Sequence, residues 1–140
     1  MTTSMQIAMS PHASSTRAEA RAAARFDEDS RSTAVTAARA ALEKKAEEVR
    51  LLDLRGVSGY TDFLVICSGQ NDRQLEAIAE SVDKELSAQG RRVIGSEGQR
   101  GGRWVLLDFG DVVVHVFHRD ERAHYDLEGL WADAPRIEVE

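Results

Sequence analysis

The run from Trp104 to Phe117, W-V-L-L-D-F-G-D-V-V-V-H-V-F, constrains this chain more than any other. Two apolar stretches flank an Asp-Phe-Gly-Asp centre, which is the pattern of a β-hairpin. Its pairing follows by counting. With Phe109-Gly110 as the turn, Asp108 opposes Asp111, Leu107 opposes Val112, Leu106 opposes Val113, Val105 opposes Val114 and Trp104 opposes His115. Opposed residues share a face, and successive residues alternate between faces. One face is then Val105, Leu107, Val112, Val114 and Val116, an ordinary core surface. The other is Trp104, Leu106, Asp108, Asp111, Val113, His115 and Phe117. Aromatic and apolar residues rimmed by charge suit a surface that meets a partner.

The rest of the chain supplies what such a hairpin needs. Residues 1–32 are rich in Ser, Thr, Ala and Arg, with few large apolar residues, and are expected to be a disordered extension. Arg17, Arg21 and Arg25 recur at four-residue spacing, which allows a transient helix; Asp27, Glu28 and Asp29 argue against a transit peptide. Ser32 or Thr33 is placed to cap a helix running to about Glu48. Val49–Leu54 reads as a strand, and Asp62–Ser68 as a second one, too apolar to have a wet face and therefore central. Asn71 and Gln74 predict the start of a second helix, and Gly90 its end. Arg92–Gly95 reads as a third strand, the hairpin supplies two more, and Ala123–Trp131 is a short helix or turn before an extended end at Pro135. The fold class expected is α/β in the broad sense (α+β): a mixed, roughly five-stranded sheet with its helices mainly on one face. The folded domain is placed at 33–137, with 138–140 as an acidic end.

Charge and motifs exclude several functions. Residues 120–140 hold seven acids against Arg122 and Arg136, so this end suits a basic protein partner and not sequence-specific nucleic acid. No apolar run approaches the roughly 20 residues that cross a bilayer, and no secretory segment opens the chain, so a cytoplasmic protein without membrane attachment is expected. Cys67 lies in an apolar strand and reads as a small core residue. Asp108-Phe109-Gly110 spells a kinase tripeptide but lacks every accompanying motif. His115 and His118, three apart on a strand, point to opposite faces and do not form a metal pair, so no metal or cofactor is expected. Asp108 and Asp111, with Asp53 or Asp62 nearby, are the one enzymatic lead, because two-metal nucleotidyl transfer uses clustered carboxylates. The chain has Ser68-Gly69 but no Asp-x-Asp, and both hairpin carboxylates read as turn residues.

Five motifs fall in one order: A-x-x-A-x-x-x-K-K-A-E-E-V, L-D-L-R-G-V-S-G-Y-T-D-F-L-V-I-C-S-G, R-Q-x-x-A-I-A, E-G-x-x-G-G-R-W-V-L-L-D-F-G-D-V-V-V-H-V-F and Y-D-L-E-G-L-W-A-D-A-P. In these the chain resembles the ribosomal silencing factor family, RsfS or Iojap, over residues 34–137. The resemblance implies a small α/β domain of nucleotidyltransferase-like topology without the catalytic acids, and no enzymatic activity. It also implies binding to the large ribosomal subunit through a protein of its intersubunit face, the fourteenth in the large-subunit series. Joining of the small subunit is then blocked and translation falls when nutrients are scarce. Some members form homodimers. Carried onto this chain, the binding face comprises Trp104, Leu106, Asp108, Asp111 and His115, closed at one end by Tyr125 and Trp131. A nucleotidyltransferase-like enzyme and a large-subunit assembly factor are the alternatives.

Overall fold

In the computed structural model the described residues are 17–57, 59–98 and 103–139, with side chains from residue 29 onward. The first helix, α1, is Arg17–Glu43. It contains no Gly or Pro, and Ala34, Ala37, Ala38, Ala40 and Ala41 give it a smooth inner face that lets it lie close to its neighbours. The boundary expected at 32/33 falls inside this helix. Ser32 and Thr33 lie inside it and do not cap it; Thr33 is buried and its hydroxyl accepts from Arg91, while the neighbouring buried Ser30 donates to Asp111. Residues 17–32 are therefore helical, and the expected disorder can apply only to 1–16, which lie outside the described residues. The helix also ends earlier than expected, at Glu43: Lys45 takes a positive φ of 64°, and the Ala46 N–H turns back to the Ala41 carbonyl.

Two strands follow, β1 (Glu47–Asp53) and β2 (Phe63–Gly69), paired antiparallel with a bulge between Glu47 and Arg50. Every residue of β2 is buried, as its unbroken apolar run requires of a central strand. The second helix, α2 (Asp72–Ala88), starts where Asn71 accepts a hydrogen bond from the Gln74 N–H. It turns a stripe of Leu75, Ile78, Ala79, Val82 and Leu86 inward. It stops at Gly90, φ +79°, where the Gly90 and Arg91 N–H groups return to the carbonyls of Ser87 and Leu86 in a Schellman motif.

The third strand, β3 (Gly95–Glu97), lies a few residues beyond the expected 92–95 and is a short exposed edge. The hairpin is β4 (Trp104–Asp108) and β5 (Val112–His118). Its register differs from the count above by two residues: Trp104 opposes Phe117, Leu106 opposes His115, and Asp108 opposes Val113. The turn is Gly110-Asp111, closed by the Phe109 N–H bonding to the Val112 carbonyl. Gly110 has φ +92°, which a two-residue hairpin turn of the II′ kind needs at its first position. Phe109 stays out of the turn, pairing with Val112 just beyond the end of β4, because its ring is buried in the core. A shift of two preserves side-chain alternation, so the strand faces read from sequence stand.

After β5 come α3 (Arg119–Tyr125) and α4 (Leu127–Leu130), then a sixth strand the sequence reading missed, β6 (Arg136–Ile137), paired with Leu51 and Leu52. The sheet order is β3-β4-β5-β2-β1-β6, and β2 with β5 is its one parallel pair. The helices α1 and α2 cover one face, over Leu51, Phe63, Val65, Val105, Leu107, Val114 and Val116. A second, smaller core lies on the opposite face, where Leu52, Leu54, Leu64, Ile66, Val113 and Phe117 meet Leu127 and Trp131.

Candidate docking face

The face opposite the long helices is part core and part surface. Strand alternation sends Trp104 and Leu106 of β4, and His115 and Phe117 of β5, to this side. Trp104 is half-buried. Its ring lies 5.0 Å from that of Phe117, nearly parallel, and 4.4 Å from that of Tyr125. Its indole N–H donates to His115 Nδ1 at 2.9 Å. His115 is almost wholly enclosed, and burial pushes its pKa down to about 4, so the ring is neutral at pH 7. With Nδ1 accepting, the ring proton is on Nε2.

Tyr125 reaches Trp104 because α3 folds back over the strand it follows. His118 starts that helix by accepting from the Asp120 N–H. Asp126 ends it in the left-handed region, φ 44°, and then caps α4 by accepting from the Gly129 N–H at 3.1 Å. Arg122 ties the layer down. It is 8% exposed, donates to Ser68 Oγ at 2.9 Å and to Glu128 Oε1 at 3.0 Å, and reaches the Glu47 carbonyl. Burial works to raise the Glu128 carboxyl, but the hydrogen bond and charge of Arg122, with Arg50 and Arg136 beyond, outweigh it and hold the group below its usual range. A second tie joins Arg119 to Glu47 at 2.8 Å, and hydrogen bonds from Gln70 and Arg119 lower the Glu47 carboxyl. Held this way, the layer leaves Tyr125 at 44% and Leu130 at 69% exposure.

The structure brings together Trp104, Leu106, His115 and Tyr125, with Trp131 half-buried at the same small core. Asp108 lies at the hairpin end of this side and accepts from the Gly110 N–H at 2.8 Å; its charge, after burial, helps raise the Tyr60 hydroxyl. Asp111 does not join them. Its turn position swings it to the helix side, where it pairs with Arg91 and accepts from Ser30, and its side chain is 7% exposed. Arg122 and Leu130 were missed. Arg122 stands among acids in the sequence and reads as a surface residue, and Leu130 reads as core within an apolar segment. His115 and His118 do part, one to Trp104 and the other to the start of α3. Among the described residues no three His, Cys, Asp or Glu side chains gather as a metal set. Cys67 is fully buried, and burial pushes its thiol up to about 12.

A family model described as "ribosomal silencing factor during starvation" matches residues 27–140. A ribosomal silencing factor RsfS of Halalkalibacterium halodurans is 51% identical over 98 residues, 70% of this chain and 84% of the relative. That of Bacillus subtilis is 46% identical over 104 residues, 74% of this chain and 88% of the relative. A crystal structure of a protein from Chromobacterium violaceum superposes with a TM-score of 0.71 at 35% identity, covering 73% of this chain and 85% of that one. On these matches, the chain belongs to the ribosomal silencing factor family.

Proposed function

We propose that this protein lowers translation by occlusion, docking on the large ribosomal subunit so that the small subunit cannot join. The reading is supported by one observation above all: a small aromatic core closed by a C-terminal layer that still presents Tyr125 and Leu130 to solvent. The partner is a basic protein of the intersubunit face, the fourteenth of the large-subunit series. Tyr125, Leu130 and the exposed edge of Trp104 supply apolar area to be desolvated. Asp108 and the acids of residues 120–140 supply charge opposite to that of the partner. Truncating one such anchor typically costs about 2 kcal/mol, roughly thirtyfold in affinity.

Docking accounts for the carboxylates better than catalysis does. Two-metal chemistry needs acids converging on one point. Here Asp108 and Asp111 sit on opposite sides of the sheet, Asp111 is neutralised by Arg91, and Asp53 by Arg55 at 2.7 Å. The test is sedimentation through a sucrose gradient with purified subunits. The protein should migrate with the large subunit and reduce the joined ribosome peak. Failure to migrate with the large subunit, or migration without any loss of joined ribosomes, would refute occlusion.

A further inference from the structure

The last strand is tied to the sheet over a short distance. β6 pairs with β1 at Leu51 and Leu52, and the Asp53 N–H donates to the Pro135 carbonyl; past Ile137 the ladder does not continue among the described residues. The cause lies in β1. Its pairing with β2 slips between Glu47 and Arg50, and Glu48 takes a positive φ of 47°. A bulge of this kind bends the strand that carries it. The two chains part there, and residues 49–51 and 136–139 line a cleft of about 420 Å³ between them.

Because the cleft is a gap between strands and not a hollow on one face, residues of both faces line it. Val49, Ile137 and Val139 are half-buried and pack against the larger core on the helix side. Arg50, Arg136 and Glu138 alternate with them in the sequence. The charges of both arginines reach Glu128 of α4, but that carboxylate is already bonded to Arg122 at 3.0 Å. Among the described residues the Arg136 guanidinium makes no hydrogen bond or ion pair, and Arg50 makes one bond, to the Val49 carbonyl at 3.2 Å. Glu138 lines the same cleft and pairs with neither. Two arginines against one glutamate leave a surplus positive charge here, in a chain whose net charge is −6. A guanidinium presents its N–H donors in a plane and meets a carboxylate or phosphate through paired bonds. A cleft of about 420 Å³ is of small-molecule size and leaves room beside the anion for an apolar body.

We propose that the cleft between β1 and β6 binds a small organic oxyanion, a phosphate ester or a carboxylate, clasped by Arg50 and Arg136 with its apolar body against Val49, Ile137 and Val139. A bound anion joins two strands that the ladder leaves apart, so it fixes the C-terminal segment to the sheet. The site is independent of docking on the ribosome, and its test needs only the full chain in solution.

Phenyl phosphate, benzoate and inorganic phosphate are titrated into the full chain at fixed ionic strength, with binding read by calorimetry and by amide NMR shifts. Phenyl phosphate or benzoate should saturate, more tightly than inorganic phosphate, with shifts centred on residues 49–51 and 136–139. Saturation by phenyl phosphate alone identifies the anion as a phosphate, and by benzoate alone as a carboxylate. Hydrogen exchange at residues 136–139 should slow on saturation. Arg136→Gln, at an exposed position, should keep the fold and weaken binding about tenfold through the loss of a charge-assisted bond. Glu138→Gln removes the like charge and should tighten binding. Opposite responses in these two variants do not arise from unfolding. Saturation by neither organic ion, equal affinity for inorganic phosphate and phenyl phosphate, unchanged binding in Arg136→Gln, no gain in Glu138→Gln, or shifts centred elsewhere would each overturn the proposal.

Discussion

The indole N–H of Trp104 donates to Nδ1 of His115 at 2.9 Å, across a hairpin in which the two are not directly paired, since Trp104 opposes Phe117 and His115 opposes Leu106. The bond is diagonal, and it joins the single polar group of the indole to one of the two imidazole nitrogens. Its acceptor lone pair exists only while His115 is unprotonated at Nδ1.

Stability should therefore depend on pH through His115. Its folded pKa lies near 4 and its ordinary value is 6.5, so between the two the unfolded chain binds the extra proton. Stability is full above about pH 6.5 and declines as pH falls toward 4, by at most about 3 kcal/mol at 1.36 kcal/mol per unit. Urea midpoints at a series of pH values should slope downward through this window for the natural protein. His115→Leu should be less stable at neutral pH, where the Trp104 N–H loses its acceptor, and its curve should be flatter. Parallel curves for the two proteins would remove His115 as the cause.

Leu130 is a cleaner probe of docking than Trp104. Trp104 contacts Phe117, His115 and Tyr125, so Trp104→Ala should cost about 2–3 kcal/mol of stability and confound any loss of binding. Leu130 is 69% exposed, and Leu130→Ala should change stability by no more than about 0.5 kcal/mol. If the C-terminal layer is the docking surface, this variant weakens large-subunit binding roughly tenfold or more at an unchanged melting temperature. Full affinity in both Leu130→Ala and Tyr125→Ala would move the surface elsewhere.

Strand alternation is a local rule, and it assigned the faces of the hairpin correctly even with the register two residues out. Turn position is also local, but two signals competed. Asp-Phe-Gly-Asp places its glycine third, and only the burial of Phe109, a property of the whole core, moves the turn onto Gly110-Asp111. That shift decides the fate of Asp111, which simple alternation put beside Trp104. Thr33 is deceptive for the same reason: a hydroxyl near an alanine-rich run resembles a cap, and its distant partner Arg91 is invisible in sequence. The sixth strand has two residues and carries no periodicity to detect.

Asp111 should matter to the fold and not to docking. It ties the hairpin turn to Arg91 and to Ser30 of α1, with its side chain 7% exposed. Asp111→Ala leaves the Arg91 guanidinium, itself 25% exposed, without this partner, at a cost of about 2–3 kcal/mol. Below the reduced melting point its large-subunit affinity should match that of the natural protein. Asp108→Asn provides the contrast, with little change in stability and weaker, less salt-sensitive docking. A large affinity loss in Asp111→Ala at full folding would return this carboxylate to the docking face.

Arg122 couples the fold to the proposed function, because it joins the end of β2, the start of β1 and α4. Its side chain is 9% exposed, and that of Glu128 28%, so their bond is screened less than a surface pair and more than a core one. Arg122→Met keeps most of the aliphatic length but leaves Glu128 and Ser68 without their shared donor, and should cost about 2 kcal/mol. The loss should be local before it is global. Hydrogen exchange should rise in residues 119–131 while the buried amides of β2 stay protected. Docking should weaken in step, because Tyr125 and Leu130 are presented by the layer that Arg122 pins. Removing both partners, as Arg122→Met with Glu128→Gln, should restore part of the stability by relieving the uncompensated carboxylate. Uniformly faster exchange across the domain would instead make Arg122 an ordinary core residue with no special hold on the C-terminal layer.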